Sequence, residues 1–359
     1  MRNLRLIVYG KLSTALHRVS YAIPKLALAF SLYINTESRF MTEKIIDPID
    51  SALIEAELTR DKFLRPTNKG HNEIYIVDGR ECEATMKEIG RLRELAFRAA
   101  GGGTGKSCDI DEFDLMDPPC RQLIVWDPES KLILGGYRFI IGEDIRFDEN
   151  GAPRIATSHM FQFSDRFINE YLPSTIELGR SFVRLEYQSS RAGAKAIFAL
   201  DNLWDGLGAL TVVYPEIKYL FGKMTMYPNY DRECRDMILY FLHKHFPDTE
   251  NLVRPISPCT ITIDRKSMER LFVGSCFKED YKILNHAIRE FGFNIPPLVN
   301  SYMSLSPTMK MFGTAINDEF GDVEESGIFF AISDIFEEKK QRHIGSYHPS
   351  SEGIQSEQI

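Results

Sequence analysis

A chain of 359 residues, 43% of them apolar, can bury a core as one large domain or two smaller ones, so native disorder over most of its length is excluded. A formal net charge of -8 argues against indiscriminate nucleic-acid binding while leaving room for a local basic patch. Six widely spaced cysteines (Cys82, Cys108, Cys120, Cys234, Cys259 and Cys276) include no C-x-x-C pair; neither a disulfide framework nor a zinc site is expected, and a reducing compartment is the simpler reading.

Residues 1–40 carry six basic side chains (Arg2, Arg5, Lys11, Arg18, Lys25 and Arg39) against one acidic, Glu37, and a 14-residue apolar run from Tyr21 to Ile34. Pro24 and Lys25 interrupt the run, which is shorter than the roughly 20 residues needed to cross a bilayer. It fits contact with an anionic membrane surface, an extended or disordered leader, or an upstream extension of a protein that begins at Met41. Ile49 to Leu64 reads as a short polar helix and Asn72 to Val77 as a first strand. Met86, Ile89, Leu92 and Phe97 then recur at helical spacing, and Gly101 to Gly103 end that helix. Two strands, Gln122 to Trp126 and Lys131 to Gly142, flank a D-P-E-S turn. After a loop with Phe161, Phe163 and Phe167 come a strand at Ile176 to Val183, a helix at Gly193 to Leu210, a strand at Tyr219 to Tyr227 and a helix at Asp231 to Phe246. A helix at Glu279 to Phe291, a strand-like element near Thr314 and an apolar strand at Gly327 to Ile332 complete the order. It predicts a mixed α/β layer with helices on both faces.

Asp109, Asp111 and Asp114 invite a metal reading, but the glycine and terminal glutamate of a calcium loop are missing, so no metal is expected. Charge-assisted hydrogen bonds to cations such as Arg93 or Arg138 suit them better. The run G-G-G-T-G-K-S (Gly101 to Ser107) has Ala100 where a phosphate-binding loop needs its first glycine, and it follows a helix instead of a strand. In T-I-E-L-G-R-S-F-V-R (Thr175 to Arg184), strand alternation sets Glu177 and Arg180 on opposite faces. A bulge at Gly179 would bring them to one face and turn backbone amides out of the ladder. Those amides could hold a developing oxyanion while Glu177 accepts a proton from an attacking amine, directly or through water; an ordinary strand with a structural ion pair is the plain alternative. Q-S-S-R-A-G-A-K-A (Gln188 to Ala196) opens a helix and could receive a phosphate.

These pieces together, with R-L-R-E-L-A-F (Arg91 to Phe97), D-I-D-E-F-D, G-G-Y-R (Gly135 to Arg138), E-L-G-R, L-F-G (Leu220 to Gly222) and I-P-P-L-V-N-S-Y-M-S-L (Ile295 to Leu305), resemble the GNAT-type N-acyltransferase superfamily. More narrowly, residues 70–340 are similar to its hemolysin-like branch, the ornithine and glycine lipid N-acyltransferases that use acyl carrier protein; the homoserine lactone autoinducer synthases are more distant. The resemblance implies an α/β GNAT-like fold, a mixed central sheet flanked by helices, with a core at 41–250, a C-terminal extension at 251–342 packed on it, and a disordered tail at 343–359.

It also implies transfer of a long-chain fatty acyl group, of which a 3-hydroxy form is one candidate, from the phosphopantetheine thioester of acyl carrier protein to the amine of glycine or ornithine, with no cofactor. By that resemblance Glu177 and Arg180 are the catalytic candidates, and Arg93, Phe97, Asp111, Asp114 and Arg138 the substrate-binding ones. Phe182, Arg184, Arg191, Gly193 and Lys195 are the candidates for the phosphopantetheine donor. Arg191 stands where the wider superfamily's pyrophosphate loop has its first glycine, a departure compatible with a carrier-protein donor. Arg184, Arg191, Lys195, Lys218 and Lys223 could form a basic patch for the acidic carrier. Trp204, Leu207 and the Phe161, Phe163 and Phe167 cluster could take the acyl chain or serve as ordinary core. A cytoplasmic enzyme is implied, with peripheral membrane contact left open. Two further readings stand beside it: coenzyme A-dependent acetylation of a small amine, and a non-enzymatic membrane-associated protein.

Overall fold

The computed structural model describes residues 42–188 and 194–348. The leader at 1–40, Arg191 and Gly193, the side chain of Lys195 and residues 349–359 of the tail expected at 343–359 lie outside the described residues, whereas His343 and Tyr347, inside that expected tail, are buried. Every element below belongs to the unit Ile45–Ile359.

Helix α1 (Ser51–Glu57) begins at Asp50, whose carboxylate accepts the Ala52 amide. The expected helix over Ile49 to Leu64 is therefore shorter: Leu64 buries into the core beside Ile74, and Phe63–Pro66 form strand β1, an edge position that tolerates Pro66. Strand β2 (Glu73–Asp78) and helix α2 (Glu83–Ala100) follow, the helix packing Met86, Ile89 and Leu92 on the sheet and stopping at Gly101, where φ is +97°. A single turn, α3 (Glu112–Leu115), precedes the hairpin β3 (Arg121–Asp127) and β4 (Leu132–Ile141). Then come β5 (Phe161–Phe163), β6 (Thr175–Val183), α4 (Ala194–Val213), β7 (Tyr219–Met226), α5 (Arg232–His245) and β8 (Val253–Pro255). The remainder is α6 (Arg265–Leu271), α7 (Phe277–Glu290), α8 (Pro297–Met303), β9 (Lys310–Asn317), β10 (Val323–Ala331) and α9 (Glu337–His343).

Eight strands form one sheet in the order β1-β2-β3-β4-β6-β7-β10-β9, so two strands from beyond residue 251 share it with the earlier ones. Its side chains alternate between two cores. Ile74, Ile76, Leu123 and Val125 face α4 and α5, whereas Tyr75, Val77, Ile124 and Trp126 face α2. Phe161 and Phe167, with Phe163 packed against them, join a third cluster around Phe221, Phe312 and Phe329. They are core there, away from Trp204 and Leu207.

Neighbouring strands of the sheet are antiparallel except β6 and β7. That parallel pair is joined only over Thr175 to Glu177 against Tyr219 to Phe221. Beyond it β6 stays with β4 to Val183 and β7 stays with β10 to Met226, so the two splay apart and open the middle of the sheet.

Candidate active site

Three arginines from three elements converge on the aspartate loop. The buried Arg93 of α2 meets Asp114 at 3.1 Å and donates to the Gln122 side-chain oxygen at 2.5 Å; Gln122 donates in turn to Asp114 at 2.9 Å. Arg138 of β4 meets Asp111 at 2.5 Å and Asp114 at 3.4 Å. Arg180 of β6 meets Asp109 at 2.9 Å and Asp111 at 3.4 Å, and its guanidinium lies 4.5 Å from the centre of the Phe320 ring. Burial pushes the Asp111 carboxyl up, but Arg138, then Arg180 and Arg93, override it and hold it well below the usual carboxylate range. Among the described residues no group of three or more His, Cys, Asp or Glu is placed to hold a metal ion.

The glycine run beside this network cradles an anion of its own. The amides of Thr104 and Gly105 and the Thr104 hydroxyl all donate to Glu94, which also pairs with Arg98 at 2.7 Å. A carboxylate from the preceding helix thus fills the place that a phosphate would need.

The bulge in β6 exists, one residue later than expected. Arg138 pairs with Gly179 and Gly136 with Phe182, so Arg180 and Ser181 both stand opposite Tyr137. Arg180 takes the left-handed backbone, φ +47°, which is strained for a residue with a Cβ. The extra residue reverses the alternation and carries Arg180 to the face that holds Glu177 and Arg138. Glu177 itself is 2% exposed, and burial pushes its carboxyl up against the opposing pull of Arg138 and Lys223.

A cavity of about 910 Å³ occupies the splay. Its walls come from both faces of the sheet: Leu178, Leu207, Tyr302 and Phe330 on the α4 side, Phe97, Phe182 and Phe320 on the α2 side. It therefore passes through the sheet between β6 and β7. Among the described residues three charged side chains line it, Arg180, Lys223 and Glu325, all toward the α2 face, so one lobe is apolar and the other charged. The Tyr137 hydroxyl in the wall lies against Ser181 and Tyr302 but makes no aligned hydrogen bond to either.

Of the residues picked from sequence, Arg180, Phe97 and Phe182 reach this cavity, as do Trp204 and Leu207. Arg93, Asp111, Asp114 and Arg138 do not line it; they form the ion-pair network behind Arg180. Glu177 does not line it either: its side chain is buried where Arg138 and Lys223 act on its charge, so of the two routes expected for it, direct or through water, the direct acceptance of a proton from a ligand in the cavity does not fit its placement. Arg184 is largely buried and pairs with the buried Glu88 at 3.7 Å and the exposed Glu186 at 3.3 Å. Lys223 is 8% exposed and pairs with Glu325 at 3.2 Å, so it cannot belong to an exposed basic patch. The sequence reading missed Glu325; its one visible signal was a pair of carboxylates, Glu324 and Glu325, inside an apolar strand.

The acetyltransferase (GNAT) domain family matches residues 92–197, the segment from α2 to the start of α4. A curated relative from Phocaeicola vulgatus, glycine N(alpha)-acyltransferase, is 62% identical over 317 residues, covering 88% of this chain and 97% of its own. Another of that name from Bacteroides thetaiotaomicron is 64% identical over 312 residues, 86% of this chain and 93% of its own. The chain belongs to this N-acyltransferase family. Among solved structures, that of the AHL synthase LasI matches with a TM-score of 0.39 at 10% identity, over 79% of this chain and 100% of that one. For an N-acyltransferase the splay offers what the chemistry requires: an apolar lobe, a charged lobe, and a bulged strand edge between them at Gly179 to Ser181. An amine can attack an acyl thioester directly, so no covalent nucleophile is needed. Burial pushes the thiols of Cys82 and Cys108 up to about 11, which suits inert cysteines.

Proposed function

We propose that this N-acyltransferase moves a long-chain fatty acyl group from the phosphopantetheine thioester of acyl carrier protein to the α-amine of glycine, giving an acyl-amino-acid lipid precursor. The observation that carries the reading is the through-sheet cavity, which at about 910 Å³ and with a mainly apolar lining is far larger than an acetyl group needs. The glycine acceptor is supported by the names of the two relatives over most of their length.

In this reading the donor threads the gap between β6 and β7, its acyl chain lying among Leu178, Leu207, Tyr302 and Phe330. The thioester carbonyl then faces the bulge, where the guanidinium of Arg180 and the backbone at Ser181 offset negative charge as the amine adds. Asp109 and Asp111 fix Arg180, while Arg93 and Arg138 in turn balance Asp111 and Asp114, so the cation is oriented before substrate arrives. Glu177 acts as a positioning residue whose charge balances Arg138 and Lys223. The carrier docks where the cavity opens, and peripheral membrane contact through the basic leader would keep a lipid product near its destination.

Purified full-length protein, incubated with isotope-labelled glycine and one of three donors, palmitoyl carrier protein, palmitoyl coenzyme A or acetyl coenzyme A, tests this by mass spectrometry. Labelled N-palmitoylglycine from the carrier-protein donor is the expected product. Turnover with acetyl coenzyme A alone, and none with either palmitoyl donor, would move the assignment to small-acyl transfer.

A further inference from the structure

Resting on the acyl transfer proposed above, we infer that Lys223 and Glu325 form the acceptor site: Lys223 holds the carboxylate of the incoming amino acid and Glu325 takes the proton from its ammonium. Lys223 on β7 and Glu325 on β10 are diagonal neighbours, since Lys223 pairs with Gly327 and Thr225 with Glu325. Both line the cavity on its charged side, 8% and 1% exposed, with Nζ and Oε1 3.2 Å apart.

A salt bridge buried this deeply contributes little net stability and invites another explanation. Here it has three supports. The Thr225 hydroxyl donates to the second Glu325 oxygen at 3.0 Å, and the Asn317 amide approaches the first at 3.4 Å, so the carboxylate is held in one orientation. Lys223 stands beside Glu325, and its charge also reaches the Glu177 carboxyl, where it opposes the upward push of burial. The pair is neutral as a whole. A ligand of single charge entering it would leave one partner uncompensated, whereas a zwitterion with its two charges a bond or two apart can pair with both at once. The site therefore selects a small α-amino acid over a simple amine.

The step balances without any co-reactant. Glu325 removes one proton from the ammonium, and the freed nitrogen forms a bond to the thioester carbonyl carbon. Collapse of the adduct breaks the C–S bond; the second nitrogen proton leaves with the sulfur, giving the amide and a thiol. Glu325 then returns its proton to solvent.

The test uses the full chain with palmitoyl carrier protein, comparing wild type with Lys223→Met, Glu325→Gln and the double variant K223M/E325M. The double variant replaces an ion pair by apolar side chains of similar length, so it keeps the fold if either single change does not. Lys223→Met is expected to raise the KM for glycine about tenfold or more and to erase the preference for glycine over glycinamide, with the donor KM held within about twofold. Glu325→Gln is expected to lower kcat about 10²-fold, with partial recovery as pH rises and more glycine is already deprotonated. Calorimetric titration with glycine alone should give binding to wild type and none to the double variant, a readout that needs no turnover. Unchanged glycine preference in Lys223→Met, unchanged kcat in Glu325→Gln, or glycine binding by the double variant would each overturn the assignment. If wild type binds glycine but never acylates it, the acyl-transfer reading fails and the pair stands; if it acylates glycine and the variants match it, only the pair falls.

Discussion

Arg138 stands directly across from Gly179, and one step further the ladder slips, so that Arg180 and Ser181 share Tyr137 as their single partner. That slip is why two residues three positions apart in a strand, Glu177 and Arg180, come to one face. It also forces Arg180 into a left-handed backbone, and ion pairs to Asp109 and Asp111 hold it there.

Replacing Arg180 separates the structural from the chemical part of this arrangement. Arg180→Ala leaves the buried Asp109 carboxylate without its counter-ion, and the unfolding free energy should drop by about 3–5 kcal/mol, read from the urea midpoint. Arg180→Lys keeps the charge but lacks the planar fork that spans two aspartates and stacks on Phe320. Its fold should persist while acyl transfer falls about 10²-fold; a Lys variant with full activity would show that a point charge suffices.

Glu177 gives a pH signature of defined sign. Burial raises its folded pKa above the unfolded value of about 4.3, so the native state binds the proton more tightly, and stability from this group falls as pH rises through that window. Glu177→Gln cannot ionise. Relative to wild type its stability should therefore increase with pH from about 4 upward, in parallel denaturation curves. Asp111 has the opposite sign: its folded pKa is depressed, so its stabilisation is present above the unfolded pKa of about 3.9 and is lost only as pH falls toward the folded value. A Glu177→Gln difference that stays flat with pH would mean that the carboxyl is not desolvated.

Gly222 guards the passage through the sheet. A Cβ there would stand 3.2 Å from the Leu178 carbonyl oxygen across the splay. Gly222→Leu should place its side chain in the gap and cut long-chain transfer about tenfold or more, while binding of free glycine persists. Donor competition by mass spectrometry and glycine calorimetry check the two halves separately.

Tyr137 carries a buried hydroxyl without an aligned partner. Tyr137→Phe removes no hydrogen bond and should change stability by about 1 kcal/mol or less, in the stabilising direction if either. A loss above that in thermal or urea unfolding would reveal a bond from that hydroxyl.

Much of this was legible in the sequence because it depends on local periodicity. Met86, Ile89 and Leu92 set the face of α2, the D-P-E-S turn fixed the β3–β4 hairpin, and E-L-G-R carried a bulge whose effect on parity could be worked out beforehand. The position of the bulge was off by one residue because glycine is the usual occupant of a left-handed site, and here Arg180 takes it under the pull of two aspartates. What could not be read was which side chains face empty space. Glu177 and Lys223 look alike as isolated charges in strands; only the splay, a consequence of β7 turning to β10 over a hundred residues away, seals the first and opens the second to the cavity. The short helices α6, α8 and α9 went unread for a similar reason, since seven residues give too few turns for a periodic pattern.

The central claim is that donor and acceptor meet inside the splayed pair β6 and β7. A structure of the protein with a non-reactive long-chain acyl-pantetheine thioether tests it most directly. The chain should run between β6 and β7, beyond the narrow end at Leu178 and Gly222, into the lobe of Leu207 and Phe330, with its carbonyl within hydrogen-bond reach of the Arg180–Ser181 bulge. Density for the acyl chain on the outer surface, with the gap between the two strands vacant, would contradict the account.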